Sequence, residues 1–124
     1  MKQLKPLVFA VFILFSFFSC SENSNKKLIL GHWTGVEWLV EDHPSSHTPQ
    51  DASFTFDSTG IYTFEYAGNI EKGKYYLNNN QLFTTPEGGI KIMVKIPKLT
   101  QDTMIFDMNR GGQAERLTLI RKKE

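Results

Sequence analysis

Chemistry in this sequence has few places to start. Cys20 is the single cysteine, so no intramolecular disulfide can form, and its thiol follows a short apolar run. His43 and His47 flank Pro44-Ser45-Ser46, with Glu41, Asp42 and Asp51 close by in sequence, and these are ligand types that zinc accepts. A pair of histidines four apart shares a face only on a helix, which Pro44 and Pro49 oppose. A solvated loop is therefore expected there, and no metal. Glu65 and Glu71 lie on either side of a hairpin signal, where paired surface acids are commonplace. No serine occupies a nucleophile-elbow setting, and no Gly-rich loop leads into a helix. No catalytic residue is assigned, no cofactor is expected, and the chain is not read as an enzyme.

The setting of Cys20 suggests what its thiol is for. Met1 to Pro6 holds Lys2 and Lys5 without an acid, Leu7 to Phe18 is apolar except for Ser16, and Ser19 precedes the cysteine. A basic start, a short apolar core and a small residue before the cut are the parts of a secretory signal. The apolar run is too short for the roughly 20 residues that cross a bilayer as a helix. Residues 1–19 are thus expected to be a lipoprotein signal peptide and 20–27 a flexible Ser/Asn/Lys-rich tether, with the folded domain over 28–124. The junction resembles a lipobox, in which the cysteine carries the lipid. That resemblance implies lipid attachment (palmitate and related acyl chains) at Cys20 and a membrane partner through the anchor. The expected location is the cell envelope, at the outer membrane, with either face open. The alternative is a freely secreted protein.

The 14 basic residues face 13 acids, and losing Lys2 and Lys5 with the signal leaves a formal charge of −1. Such a domain lacks the basic footprint that nucleic acid requires. Only Arg121-Lys122-Lys123 clusters, at the end of the chain.

The aromatic residues must be positioned by strands, because the mature sequence alternates at period two. Tyr62, Phe64 and Tyr66 share one face, as do Ile90, Ile92, Val94 and Ile96, and Met104, Phe106 and Met108. Gly, Asn, Asp and Pro clusters punctuate these runs at Asp57–Gly60, Ala67–Asn69, Asn78–Asn80, Pro86–Gly89, Pro97–Asp102 and Asn109–Gly112. The pattern predicts eight strands, at about 30–40, 52–56, 60–67, 70–77, 81–85, 89–96, 103–109 and 114–121. Short links favour a meander, and closing a meander removes exposed edges. The expected fold class is all-β: a small eight-stranded antiparallel up-and-down barrel.

The chain resembles the bacterial lipocalin-like lipoproteins over about residues 28–121. The resemblance is carried by Gly31-His32-Trp33, Phe56-Asp57-Ser58-Thr59-Gly60-Ile61-Tyr62, Gly73-Lys74-Tyr75-Tyr76-Leu77 and Leu117-Thr118-Leu119-Ile120-Arg121. It implies that Trp33 and Arg121 pack together as a structural pair at the closed end. The inward aromatics Trp33, Phe54, Phe56, Tyr62, Phe64, Tyr66, Tyr75 and Phe106 are the candidate ligand-binding set, with Leu82, Ile92, Val94, Leu117 and Leu119 on the same face. Two functions fit. One is an open cup for a small hydrophobic ligand. The other is a filled barrel that acts as an interaction, inhibitor or envelope-maintenance module with a protein partner, its long loop near His43 making contact. The protein is expected to be a monomer.

Overall fold

The computed structural model describes residues 20–123, so the segment read as a signal peptide lies outside the described residues. A helix α1 (Cys20–Leu28) leads into β1 (Gly31–Val40), a two-residue strand β2 (His43–Pro44) and a 3-10 turn (Pro49–Asp51). Then follow β3 (Ala52–Phe56), β4 (Ile61–Tyr66), β5 (Asn69–Asn78), β6 (Gln81–Pro86), β7 (Ile92–Leu99), β8 (Thr103–Arg110) and β9 (Gln113–Arg121). Each long strand pairs antiparallel with its neighbour, and β9 returns to β1 from Trp33↔Arg121 to Val40↔Glu115. Eight strands thus close into the expected barrel, with β2 added on the outer edge of β1 at Leu39↔Pro44 and Val40↔His43. Among the described residues, no helix is long and apolar enough to cross a membrane.

The hairpins follow from local chemistry. Ala67 (φ 51°) and Gly68 (φ 88°) make a two-residue turn with both residues left-handed, as do Gly111 and Gly112 (φ 61° and 87°). These turns match strand twist and so set the register. The Asp57 turn is held by its own side chain, whose Oδ1 accepts Thr59 N (2.9 Å), Thr59 Oγ1 (2.7 Å) and Ile61 N (3.0 Å).

Two expectations need correcting. The stretch 20–27, expected as a flexible tether, is helical and forms most of α1. Its end is pinned by Ile29 N donating to Asn25 O (3.1 Å) and by Asn25 Nδ2 donating to Asn79 O (3.3 Å). A polar composition alone fits coil or helix; the contact with the barrel, with Ile29 fully buried, decides it. The strand expected at 89–96 is displaced to Ile92–Leu99. Glu87 N donates to Lys72 O and Gly89 N to Pro86 O, both at 2.9 Å, so the chain is still turning there. Ile90 is consequently 80% exposed, and Ile92, expected inside, is 51% exposed at the rim. At the other end β7 runs through Pro97, which has no N–H for a ladder. A register shift between Lys95 and Lys98 sets it outside the pairing.

That shift matters for the barrel wall. The β7–β8 ladder joins Lys95 to Asp107, Lys98 to Ile105 and Leu99 to Met104, and stops there. Ile92–Val94 pair only with β6, through Leu82, Phe83 and Thr84, while Met108–Arg110 pair only with β9. The wall has a seam at the end where the Tyr66, Pro86 and Gly111 turns lie. The core fills the opposite end and middle, with Trp33, Phe56, Phe106, Met104, Leu82 and Leu119 almost fully buried.

Candidate functional site

The closed end is a lock built on Gly31, Trp33 and Arg121. Trp33 is fully buried, and its Nε1 donates to Ile29 O (2.8 Å). Arg121 Cζ lies 4.3 Å from the Trp33 ring centroid. Its guanidinium donates to Leu30 O (2.6 Å), to Gln101 O (2.7 Å) and to Leu28 O, so one side chain ties α1, the β7–β8 loop and β9 together. Gly31 has φ 119°, and a Cβ there would stand 2.8 Å from Arg121 Nη1. Only glycine leaves the fork its path.

The other end holds a cavity of about 440 Å³. Its wall is made by Phe54, Tyr62, Phe64, Phe106, Leu82, Val94 and Leu117, and its rim by Trp38, Glu71, Ile92, Met108 and Arg110. Phe54 stacks on Phe64 (4.5 Å, 23°) and meets Phe106 edge-on (5.2 Å, 81°). Both Phe54 and Phe64 are only half-buried, because they front the cavity. Tyr62 is buried to 1% exposure, yet its hydroxyl donates to Glu71 Oε2 at 2.5 Å. Burial first, and the Glu71 carboxylate second, hold Tyr62 well above the ordinary phenol range, so the hydroxyl remains a donor at neutral pH. Glu71 is directly opposite Phe64 across the β4–β5 ladder, so it belongs to the inner face.

A second hollow, about 490 Å³, lies outside the wall over Lys95, Asp107 and Arg116. It shares Met93, Met108 and Asn109 with the cup, which places the β7–β8 seam between the two. Arg116 and Asp107 form a two-pronged ion pair beneath it (2.7 and 2.8 Å).

The long loop after β1 folds back rather than waving in solvent. His47 stacks on Trp38 (4.4 Å, 30°), and Tyr66 meets both rings edge-on. Thr48 N donates to the Tyr66 hydroxyl (3.3 Å), and Trp38 Nε1 donates to Glu115 Oε1 (2.9 Å). Pro49 O sits where a side chain on Gly35 would project, 2.4 Å from the Cβ position, so the loop seats directly on β1. His43 is turned away, its Nδ1 lying 2.8 Å from Glu41 O. Among the described residues, no three His, Cys, Asp or Glu side chains are grouped to hold a metal.

Of the eight aromatics singled out from sequence, Phe54, Tyr62, Phe64 and Phe106 line the cup. Trp33 and Phe56 form the floor, buried in the core. Tyr66 clamps the loop at the rim. Tyr75 lies at the closed end, where its hydroxyl donates to Asp57 O (2.6 Å). Cys20 is the first residue of α1. Sequence reasoning left Trp38, Glu71 and Met108 out of the ligand-binding set, although they line the cavity. For Glu71 the signal was parity, since it is an even step from Gly73, Tyr75 and Leu77 on β5.

A profile of the lipocalin-like domain matches residues 29–106. Among solved structures, a lipocalin-like protein from Bacteroides uniformis ATCC 8492 is similar at a TM-score of 0.60 with 14% identity, covering 77% of this chain and 99% of its own. An uncharacterized protein from Bacteroides eggerthii DSM 20697 is similar at 0.57 and 14% identity, with 76% and 99% covered. No curated protein matches the chain significantly. Since the profile spans most of the barrel, from the buried Ile29 to Phe106 at the cup, the chain belongs to the lipocalin-like domain family.

Proposed function

We propose that the protein is an envelope lipoprotein, anchored through Cys20 at the outer membrane, that carries or senses one small, largely hydrophobic ligand in its cup. The observation that carries this reading is the cavity of about 440 Å³ fronted by half-buried Phe54 and Phe64. A filled barrel would bury those rings, whereas a ligand site is concave, mostly apolar and supplied with a few convergent polar groups. Here the polar groups are the Tyr62 hydroxyl and Glu71. No catalytic chemistry is assigned to them, and the protein acts as a monomer.

A second reading, a protein-docking module, draws on the outer face. Tyr76 stacks on Phe83 (4.8 Å, 12°), and Phe83 is the ladder neighbour of Met93, making an apolar strip across β5, β6 and β7. Native mass spectrometry of the Cys20→Ser protein after exposure to a lipid and metabolite extract separates the two. Retention of a few hundred daltons, lost in Phe64→Ala and kept in Tyr76→Ala, is the expected result. A bare mass throughout would overturn the carrier reading and turn the search to protein partners.

A further inference from the structure

At the mouth of the cup, the Glu71 carboxylate has no cationic partner among the described residues. Arg110 Nε stands 3.8 Å from Glu115 Oε2, and the other Glu115 oxygen accepts Trp38 Nε1. That pair is matched. Glu71 receives only the neutral Tyr62 hydroxyl, and among the described residues no cationic side chain pairs with it. Its strand neighbours Lys72 and Lys74 are an odd number of residues away and so belong to the outer face of β5.

The Glu71 carboxylate is set beside an aromatic wall. Phe64 is its direct cross-strand partner, and Phe54 stacks against Phe64. Carboxylate and ring faces together attract a cation, the rings through their quadrupole and the carboxylate through its full charge. An anionic head would meet the same groups with the opposite sign.

From this arrangement we infer that the ligand is a cationic amphiphile, with a protonated amine or quaternary ammonium held between Glu71 and the Phe64 ring. Its apolar body lies against Leu82, Val94 and Leu117. The inference rests on the cup being a ligand site and adds the chemical class of the ligand.

The test uses the Cys20→Ser protein loaded with a neutral hydrophobic dye that is displaced by decylamine, decanol or decanoate, three probes of one chain length. Decylamine is expected to displace the dye at a concentration at least about tenfold below that of decanoate, equivalent to about 1.4 kcal/mol, with decanol between them. Glu71→Gln keeps an acceptor for Tyr62 and is expected to bring decylamine to the level that decanol shows on the same variant, so that the ratio of the two falls to about one. Equal displacement by all three, or an amine preference that survives Glu71→Gln, overturns the charge assignment and leaves the cup standing. Failure of the dye and all three probes to bind overturns the cup itself. A free amine and an aminolipid headgroup share this chemistry. Co-sedimentation with phosphatidylethanolamine vesicles marks the lipid as the source, and displacement without co-sedimentation marks the free amine.

Discussion

Replacing Arg121 by Ala removes the fork that closes the barrel floor, and its cost can be worked from the contacts. The ring contact with Trp33 at 4.3 Å contributes about 1 kcal/mol at this partly buried site. The bonds to Leu28 O and Leu30 O are partly buried and come from a charged donor, at about 1.5 kcal/mol each. The bond to Gln101 O is exposed and counts for little. The expected loss is about 4 kcal/mol, a large share of the roughly 5–15 kcal/mol that holds a domain folded. Urea unfolding followed by tryptophan fluorescence would measure it. The thermal midpoint should fall by about 15–30 °C, at roughly 4–8 °C per kcal/mol for a domain of this size. Arg121→Lys restores a point charge but not the planar fork, so it should recover less than half of the loss. A loss below about 1 kcal/mol for Arg121→Ala, or a lysine variant equal to wild type, would refute the lock.

Other perturbations test separate parts of the molecule. The Thr59 side chain first, then Ile61 N, hold the Asp57 carboxyl below its ordinary value of 3.8, so its contribution is present above that value and lost as pH falls through the folded-state value. The stability gap between wild type and Asp57→Ala should accordingly shrink in urea titrations taken from pH 5 down to pH 2. Ala67 bears a left-handed backbone (φ 51°) that an L-residue with a plain Cβ resists. Ala67→Asn should raise stability by about 0.5–1 kcal/mol in the same assay, and no change would show that the turn is unstrained. Cys20→Ser should move the protein from the membrane to the soluble fraction with an unchanged circular dichroism spectrum; continued membrane association would remove the lipid anchor from the proposal.

The barrel was legible because burial on one face imposes period two, and the runs around Tyr62, Val94 and Phe106 display it. Alternation reports which face a side chain takes but not how far along the barrel axis it stands. Tyr75 and Tyr62 share the inner face, yet one hydroxyl meets Asp57 O at the floor and the other meets Glu71 at the mouth. Height follows from register, which depends on turns such as Pro86–Ile90, whose length a Gly-Gly pair leaves open. Glu71 was hidden for another reason, since a charged residue on a strand is ordinarily assigned to solvent. His47 had no legible role, because its place on Trp38 joins residues nine apart through an irregular loop.

A complete antiparallel ladder fixes the circumference of a barrel, for any widening must break hydrogen bonds between strands. Here the ring is complete only up to Lys95 and Asp107, and above that level it is a split collar. No ladder pairing joins Ile92–Val94, which stay paired to β6, to Met108–Arg110, so what closes the wall there is the side chains of Met93, Met108 and Asn109, which line the hollows on both sides. The base of this barrel is therefore a complete ring of ladders, whereas its upper bore is interrupted between β7 and β8, and the width of anything the proposed cup takes would be set by that one gap as well as by the number of strands.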